Sequence, residues 1–328
     1  MQTRVGNHPN KKIIEAIFSV EKLLIREQDA PTTFALREYA HPQWGNVLHF
    51  QNNEIEAVLA PERGCRLTHY SRVGQPNLLW IARDIQSGQG NLNGWRNWGG
   101  EKTWLWPEAH WPELANGKSW PPPLDFDQNR FERDLVTERR FSNLRRGATT
   151  EHASQVGKPT LRYLLVFHSP LGLTRAFLFP NTGTEIKIAM VLDTGRMNVP
   201  RSVWSVIQIP TPDFIGLERV APFRFLPSIP ELKNPLVLRD EKTLDLTATR
   251  DAKGMVDATG FRVATKQGTL VARQSGIDES HLPYEDIYQA QVYVSPVVDG
   301  DAYVELEFAA PLPSKPAVSR QCVAISLE

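Results

Sequence analysis

Short runs in which apolar and polar residues alternate recur along most of the chain. In residues 185–192, Ile186, Ile188 and Met190 alternate with Glu185 and Lys187, as expected for a β-strand with one buried face. Comparable runs lie at 47–50, 55–59, 66–71, 77–81, 131–137, 161–168, 173–179, 202–209, 260–264, 269–273, 287–294, 303–308 and 322–327. Turn residues separate them, and no helix of ten or more residues is predicted after position 30. The pattern predicts an all-β sandwich or barrel.

The 328 residues could form one large domain or two ordinary ones. Residues 1–35 show no clear periodicity, and we interpret them as an N-terminal extension. No change in composition after them requires a second boundary. We therefore expect residues 36–328 to form a single β domain.

The segment 94–123 interrupts the strand pattern and holds six of the nine tryptophans. We interpret it as a long excursion that forms the wall of a ligand site, because long loops in compact domains are usually functional. An indole ring has a flat apolar face and one N–H donor. Charged and titratable residues lie between the rings, namely Glu101, Lys102, Glu108 and His110. Flat apolar faces beside fixed polar groups favour a sugar ring as the ligand.

The charge balance of 37 basic and 37 acidic residues provides no overall field that would attract nucleic acid or an anionic membrane. A small neutral carbohydrate is therefore the expected partner. The sequence carries no motif typical of zinc proteases, nucleotide-binding loops or serine hydrolases, so neither a metal nor a cofactor is predicted. The oligomeric state is left open.

Only two cysteines are present, Cys65 and Cys322, and we expect two buried free thiols rather than a bridge between them. The N-terminus has no signal-peptide pattern, and no run approaches the ~20 apolar residues of a membrane helix. The expected location is cytoplasmic, with a periplasmic or secreted location as the alternative if a signal has been removed.

Several stretches, taken in order, resemble galactose mutarotase-like (aldose 1-epimerase-like) proteins. They are PERGCRL at 61–67, NWGGEK at 97–102 with the later Trp-Pro, GLTR at 172–175, and YVELE at 303–307. The resemblance covers about residues 40–328 and is closest to an uncharacterised branch of that superfamily. It implies a large antiparallel β-supersandwich, carbohydrate binding and, if the protein is an enzyme, a cofactor-free aldose 1-epimerase-like isomerase.

Opening a cyclic hemiacetal needs a base for the anomeric O–H and an acid for the ring oxygen. Glu305 and Glu307 lie two residues apart on one predicted strand, so their side chains share a face. Repulsion between two carboxylates would raise one pKa and give a usable base. The resemblance favours Glu307 over Glu305 for this role. Solvent exposure of this polar face is the alternative.

The general acid is harder to assign. The resemblance implies a histidine on the strand after the central hairpin, yet the matching strand carries Trp204 and Gln208 and has no histidine. His110 or Lys102 is the substitute that the sequence offers, with a structural hydrogen bond or a local salt bridge as the alternative.

The predicted ligand-binding residues belong to the tryptophan-rich segment and two strands, namely Trp98, Glu101, Lys102, Trp104, Trp106, Glu108, Arg66, Trp204 and Gln208. Core packing is the alternative for the rings, and a structural ion pair is the alternative for Arg66. Three functions remain open. The first is a mutarotase-type enzyme, the second is a non-catalytic sugar-binding or sensing protein, and the third is a glycan lyase or hydrolase that uses Glu101 and Glu108 with a further carboxylate of the pocket.

Overall fold

The computed structural model describes eleven stretches of the chain. These are residues 35–87, 95–114, 117, 120–135, 162–194, 201–218, 236–256, 258–275, 290–297, 302–310 and 318–328. The predicted N-terminal extension lies outside them, except for its last residue. Within these stretches the helices are short: α1 is Arg83–Gln86, α2 is Leu124–Asp127, and a 3₁₀ helix spans Glu108–Glu113.

The described strands are numbered in chain order. They are β1 Ala35–His41, β2 Gly45–Gln51, β3 Ile55–Ala60, β4 Arg66–Arg72, β5 Glu101–Trp106, β6 Glu132–Arg133, β7 Arg162–His168, β8 Leu173–Pro180, β9 Ile186–Asp193, β10 Ser202–Pro210, β11 Phe214–Glu218, β12 Val237–Asp240, β13 Thr243–Asp245, β14 Ala252–Val256, β15 Gly260–Thr265, β16 Gly268–Ser275, β17 Ala290–Val294, β18 Tyr303–Ala309 and β19 Val318–Leu327.

The strands form two large antiparallel sheets. The first has the order β1-β2-β3-β4-β5-β10-β18-β17-β14, and the second has the order β12-β13-β11-β15-β16-β19-β9-β8-β7-β6. Apolar side chains from both sheets meet in one buried core, for example Ile207 and Leu306 from the first and Phe177 and Val323 from the second. This burial of two apolar faces against each other holds the layers together. The predicted all-β antiparallel sandwich is confirmed.

Two local predictions were wrong. The tryptophan-rich segment is not only an excursion, because residues 101–106 form β5 in the middle of the first sheet, paired with β10. Residues 77–81 form no strand apart from an isolated bridge at Ile81. There the Asn77 side chain accepts hydrogen bonds from the N–H groups of Tyr70 and Leu79, and it donates to the Thr68 carbonyl. A side chain therefore takes the place of a strand partner for this stretch.

Both cysteines are free and buried, as predicted. In the part of the chain that the structure describes, no helix has the length and apolar character needed to cross a membrane.

Candidate functional site

Polar side chains occupy the outer face of the first sheet where β5, β10 and β18 lie side by side. Lys102 of β5 is paired with Val206 of β10, and Val206 is paired with Glu307 of β18. Glu307 is in turn paired with Gln291 of β17. Directly opposed residues on antiparallel strands point to the same face. These four residues therefore form one row across the sheet.

A second row runs beside the first. Gln208 of β10 is paired with Glu305 of β18, Glu305 with Tyr293 of β17, and Tyr293 with Lys253 of β14. We call the polar members of the two rows the polar sheet face, which consists of Lys102, Gln208, Lys253, Gln291, Tyr293, Glu305 and Glu307. The prediction that Glu305 and Glu307 share one face of a strand agrees with this geometry.

Several groups of the polar sheet face are buried and paired with one another. The Lys253 Nζ lies 3.3 Å from Glu307 Oε2, and Glu307 is 0% exposed. Gln208 Nε2 donates a hydrogen bond of 2.6 Å to Glu305 Oε1. Lys102 Nζ donates to the Oδ1 of Asn97 at 2.9 Å. Two lysines and two glutamates are thus held close together away from solvent.

Other polar atoms on this face have no hydrogen-bond partner among the described residues. They are Oε1 of Gln208, Oε1 of Gln291, Oε1 of Glu307 and Nε1 of Trp204. The other carboxylate oxygen of Glu307, Oε2, is held by Lys253. A buried polar group without a partner costs about 1–3 kcal/mol. On this face a ligand or water could complete the hydrogen bonds of these atoms.

Burial shifts two of these groups toward neutral pKa values. Burial raises the pKa of Glu307 to about 8; the attraction of Lys253 opposes this shift, and the charge of Glu305 adds to it. Burial lowers the pKa of Lys102 to about 8, against the attraction of Asp127 and Glu305. For Lys253, burial acts to lower the pKa, but the carboxylates led by Glu307 outweigh it and leave the pKa raised. Glu307 and Lys102 can therefore both exchange protons near neutral pH.

Indole rings border the polar sheet face. The Trp104 and Trp204 ring centroids are 5.5 Å apart, and Trp106 meets Trp204 edge-on at 5.4 Å. Lys102 Nζ lies 4.1 Å from the Trp104 centroid, and Lys253 Nζ lies 4.8 Å from that of Trp204. Trp104 and Trp204 are buried, whereas Trp106 is half-exposed. Of these three rings, Trp106 is thus the one that is partly accessible to solvent.

Trp98 and Arg66 lie in a neighbouring packed region. Trp98 is buried in a cluster with Trp44, and the Arg66 guanidinium carbon is 5.2 Å from its ring centroid. Arg66 is fully buried and donates to the carbonyls of Gly99 and Asp127 and to the Asp127 carboxylate. Asp127 also accepts from the indole N–H of Trp104. These contacts match the structural alternative for Arg66, and we leave both residues out of the polar sheet face.

Glu101 faces the opposite side of the sheet from Lys102, because neighbouring residues on a strand point to opposite faces. Its carboxylate lies between the two sheets, where Arg175 Nη2 donates to Oε1 at 2.5 Å and to Oε2 at 2.6 Å. Both side chains are completely buried. The predicted ligand-binding role of Glu101 has no support in this geometry, and we do not include it in the site.

Glu108 and His110 belong to the 3₁₀ helix that follows the cis peptide bond between Trp106 and Pro107. The Glu108 charge contributes to the raised pKa values of Glu307 and Lys253, so its carboxylate lies near the polar sheet face. The His110 carbonyl accepts a hydrogen bond from Arg201, and its Nδ1 is buried without a hydrogen-bond partner in the described structure. The helix thus brings Glu108 toward the site, and a role for His110 stays a prediction.

Sequence reasoning missed Gln291, Tyr293 and Lys253. Gln291 and Tyr293 could have been found, because they alternate with buried valines in a stretch predicted to be a strand. Lys253 lies on β14, where Gly254 interrupts the alternation of apolar and polar side chains. A Cβ at Gly254 would lie 2.5 Å from Leu236 Cδ1, so the Leu236 side chain packs close against the glycine. Among the described residues, no group of three or more His, Cys, Asp or Glu could hold a metal ion.

No protein-family model matches the chain, and no curated protein is significantly similar to it. Among solved structures, it is similar to a galactose mutarotase-like protein from Clostridium acetobutylicum, with 8% identity over 91% of this chain and 99% of that chain and a TM-score of 0.49. A candidate aldose 1-epimerase from Escherichia coli K12 matches with 10% identity over 90% of this chain and 99% of that chain and a TM-score of 0.48. A TPR-domain containing protein from Parabacteroides distasonis matches with 11% identity and a TM-score of 0.47, over 90% of this chain but 53% of that chain. Because these TM-scores are below 0.5, the likenesses carry no argument about activity or site residues.

Proposed function

We propose that the polar sheet face binds a neutral sugar ring and interconverts its anomers by proton transfer. The observation that carries the proposal is the row Lys102, Val206, Glu307 across three adjacent strands. Neighbouring strands are about 4.8 Å apart, so the Cα atoms of Lys102 and Glu307 are roughly 10 Å apart. Two side chains at that separation can act on opposite edges of one sugar ring.

In the proposed reaction, ionised Glu307 accepts the proton of the anomeric hydroxyl, and the ammonium group of Lys102 donates a proton to the ring oxygen. The bond between the anomeric carbon and the ring oxygen breaks, and the anomeric carbon becomes a carbonyl. Rotation about the adjacent C–C bond exposes the other carbonyl face, and ring closure reverses both proton transfers. No electrons are gained or lost overall, and the chemistry requires only one acid and one base.

The atoms without partners supply a reason for sugar binding. Gln208 Oε1 and Gln291 Oε1 can accept from sugar hydroxyl groups, and the indole N–H of Trp204 can donate to one. A site built to pair with hydroxyl groups leaves buried polar atoms unsatisfied when no ligand is bound. Half-exposed Trp106 offers a flat apolar face beside them.

A sugar-binding protein without catalysis is the second candidate. The observation that favours it is the 3.3 Å contact between Lys253 and Glu307, because an ion pair makes a carboxylate a weaker base. We do not extend the proposal to a lyase or hydrolase that uses Glu101, since that carboxylate is paired with Arg175 between the sheets.

The proposal is tested by measuring sugar binding and anomer exchange on the same samples. Titration of the full chain with a panel of monosaccharides, followed by tryptophan fluorescence and calorimetry, should detect binding. Exchange spectroscopy by NMR should then show faster anomer interconversion than in buffer. Glu307→Gln should abolish this acceleration, whereas Glu185→Gln, a change at a surface glutamate, should not.

Each result distinguishes the candidates. Binding without acceleration supports the non-catalytic alternative and rejects the isomerase. Absence of binding to every saccharide in the panel rejects both.

A further inference from the structure

A cavity lies on the same outer face of the first sheet, over β1, β3 and β4. Its volume is about 540 Å³, within the range of roughly 300–1,000 Å³ that small-molecule pockets occupy. Its lining includes three aromatic rings, three neutral polar side chains and one arginine, namely Tyr39, Trp44, Trp80, His41, His69, Gln86 and Arg83. None of these residues belongs to the polar sheet face.

The cavity and the polar sheet face share a wall. Trp80 lines the cavity, and its ring packs against Tyr303 with centroids 4.3 Å apart and a tilt of 33° between the ring planes. Tyr303 is two residues before Glu305 on β18, and two residues on a strand place their side chains on the same face. The main-chain N–H of Trp80 donates to the carbonyl of Gln208 at 2.8 Å. One pair of rings therefore separates the two regions.

Apart from the guanidinium of Arg83, the polar groups that line this cavity are neutral. The N–H of Gln43 donates to His41 Nδ1, so a neutral His41 ring carries its proton on Nε2 and can donate it. Burial lowers the pKa of His41 and that of His69, which favours the neutral rings. Gln86 donates its Nε2 to the Ile81 carbonyl and keeps Oε1 as an acceptor. Aromatic rings beside hydrogen-bond donors and acceptors fit a sugar ring, and Arg83 can donate to its hydroxyl groups.

We propose that this cavity holds a second sugar ring, joined to the ring on the polar sheet face across the Trp80–Tyr303 wall. The ligand is then a disaccharide or a longer glycan rather than a free monosaccharide. This inference rests on the proposed function, because it requires that the first ring occupy the polar sheet face.

The test compares one-ring and two-ring saccharides on the full chain. Calorimetric titrations with glucose and galactose give the one-ring affinity, and titrations with maltose, cellobiose and lactose give the two-ring affinity. Stacking and new hydrogen bonds in the cavity should make at least one disaccharide bind about tenfold more tightly than its constituent monosaccharides. The double variant His41→Ala Gln86→Ala should bring this ratio close to one. Gln75→Ala, at an exposed glutamine in the turn after β4, is the matched control and should keep the ratio.

The outcomes separate this inference from the proposed function. If monosaccharides bind and no disaccharide binds more tightly, the second subsite is rejected and sugar binding on the polar sheet face stands. A disaccharide preference that survives in a folded double variant, as checked by circular dichroism, also rejects the subsite. If no saccharide binds, both proposals are rejected. If the double variant does not fold, the single variants His41→Ala and Gln86→Ala take its place, and a wild-type ratio near one rejects the subsite without any variant.

Discussion

Replacing Lys102 with methionine should make the protein more stable at neutral pH while removing the proposed acid. Lys102 is buried, and burial lowers its pKa from 10.5 to about 8. Below pH 8 the folded protein therefore holds a charged ammonium group in a place that disfavours it. Methionine fills similar space without a charge, so the penalty disappears.

The size of the effect follows from the pKa difference. A decrease of the Lys102 pKa from 10.5 to about 8 corresponds to ~3 kcal/mol of folding free energy lost at neutral pH, at about 1.36 kcal/mol per pKa unit. Loss of the hydrogen bond to Asn97 and of the contact with the Trp104 ring offsets about 1–2 kcal/mol of this gain. We expect Lys102→Met to be more stable than wild type by about 1–2 kcal/mol at pH 7.

The sign of the pH dependence provides a sharper check. Between pH 8 and 10.5 the unfolded lysine binds more protons than the folded one, so wild-type stability gains a contribution that rises with pH. The variant lacks this contribution, and its advantage should shrink over that window and reverse above it. Urea unfolding at pH 7, 8, 9 and 10 measures the difference, with Lys187→Met at a part-exposed site as the control. Parallel stability curves for wild type and Lys102→Met would refute the reasoning.

Three further predictions follow from described contacts. The rate of anomer exchange should show a bell-shaped pH profile with its maximum near pH 8, because Glu307 must be ionised while Lys102 is protonated. A rate that NMR finds constant from about pH 6 to 10 would contradict these roles. Glu101→Gln should destabilise the fold by about 3–5 kcal/mol in urea unfolding, because it leaves a buried arginine without its carboxylate; an effect below ~1 kcal/mol would mean that the pair is dispensable. Gly99→Ala should destabilise the protein more than Gly183→Ala. Both glycines have positive φ (90° and 87°), but only at Gly99 would the new Cβ lie 2.1 Å from a carbonyl oxygen. Equal decreases in the thermal unfolding midpoint would exclude the steric clash.

Alternation along the chain was sufficient to predict the sandwich and the shared face of Glu305 and Glu307. It failed for β5, because the residues of Glu101–Trp106 are buried on both faces apart from the last one, so no polar face marks the strand. That failure also hid the opposite directions of Glu101 and Lys102. In a loop, two adjacent charged residues can point in any direction. In a strand, adjacent side chains point to opposite faces of the sheet.

The neighbours across the sheet could not be derived from local pattern. Lys102, Gln208 and Glu307 come together because β10 lies between β5 and β18, and this order is set by long-range pairing. Periodicity shows which face a residue occupies within its own strand, but not which strand lies beside it. The absence of a histidine in residues 202–210 was readable from sequence, whereas the downward shift of the Lys102 pKa depends on burial that only the folded structure provides.

The strand order of the first sheet has a thermodynamic consequence. β5, β10 and β18 are far apart in sequence, so a ligand that touches all three can bind only when these segments are already paired. Such a ligand binds the native state and not the unfolded chain, and it stabilises the protein by RT ln(1 + [L]/Kd). A concentration one hundred times Kd would add about 2.7 kcal/mol. The unfolding midpoint of the whole sandwich thereby becomes a measure of ligand affinity, independent of any catalytic turnover.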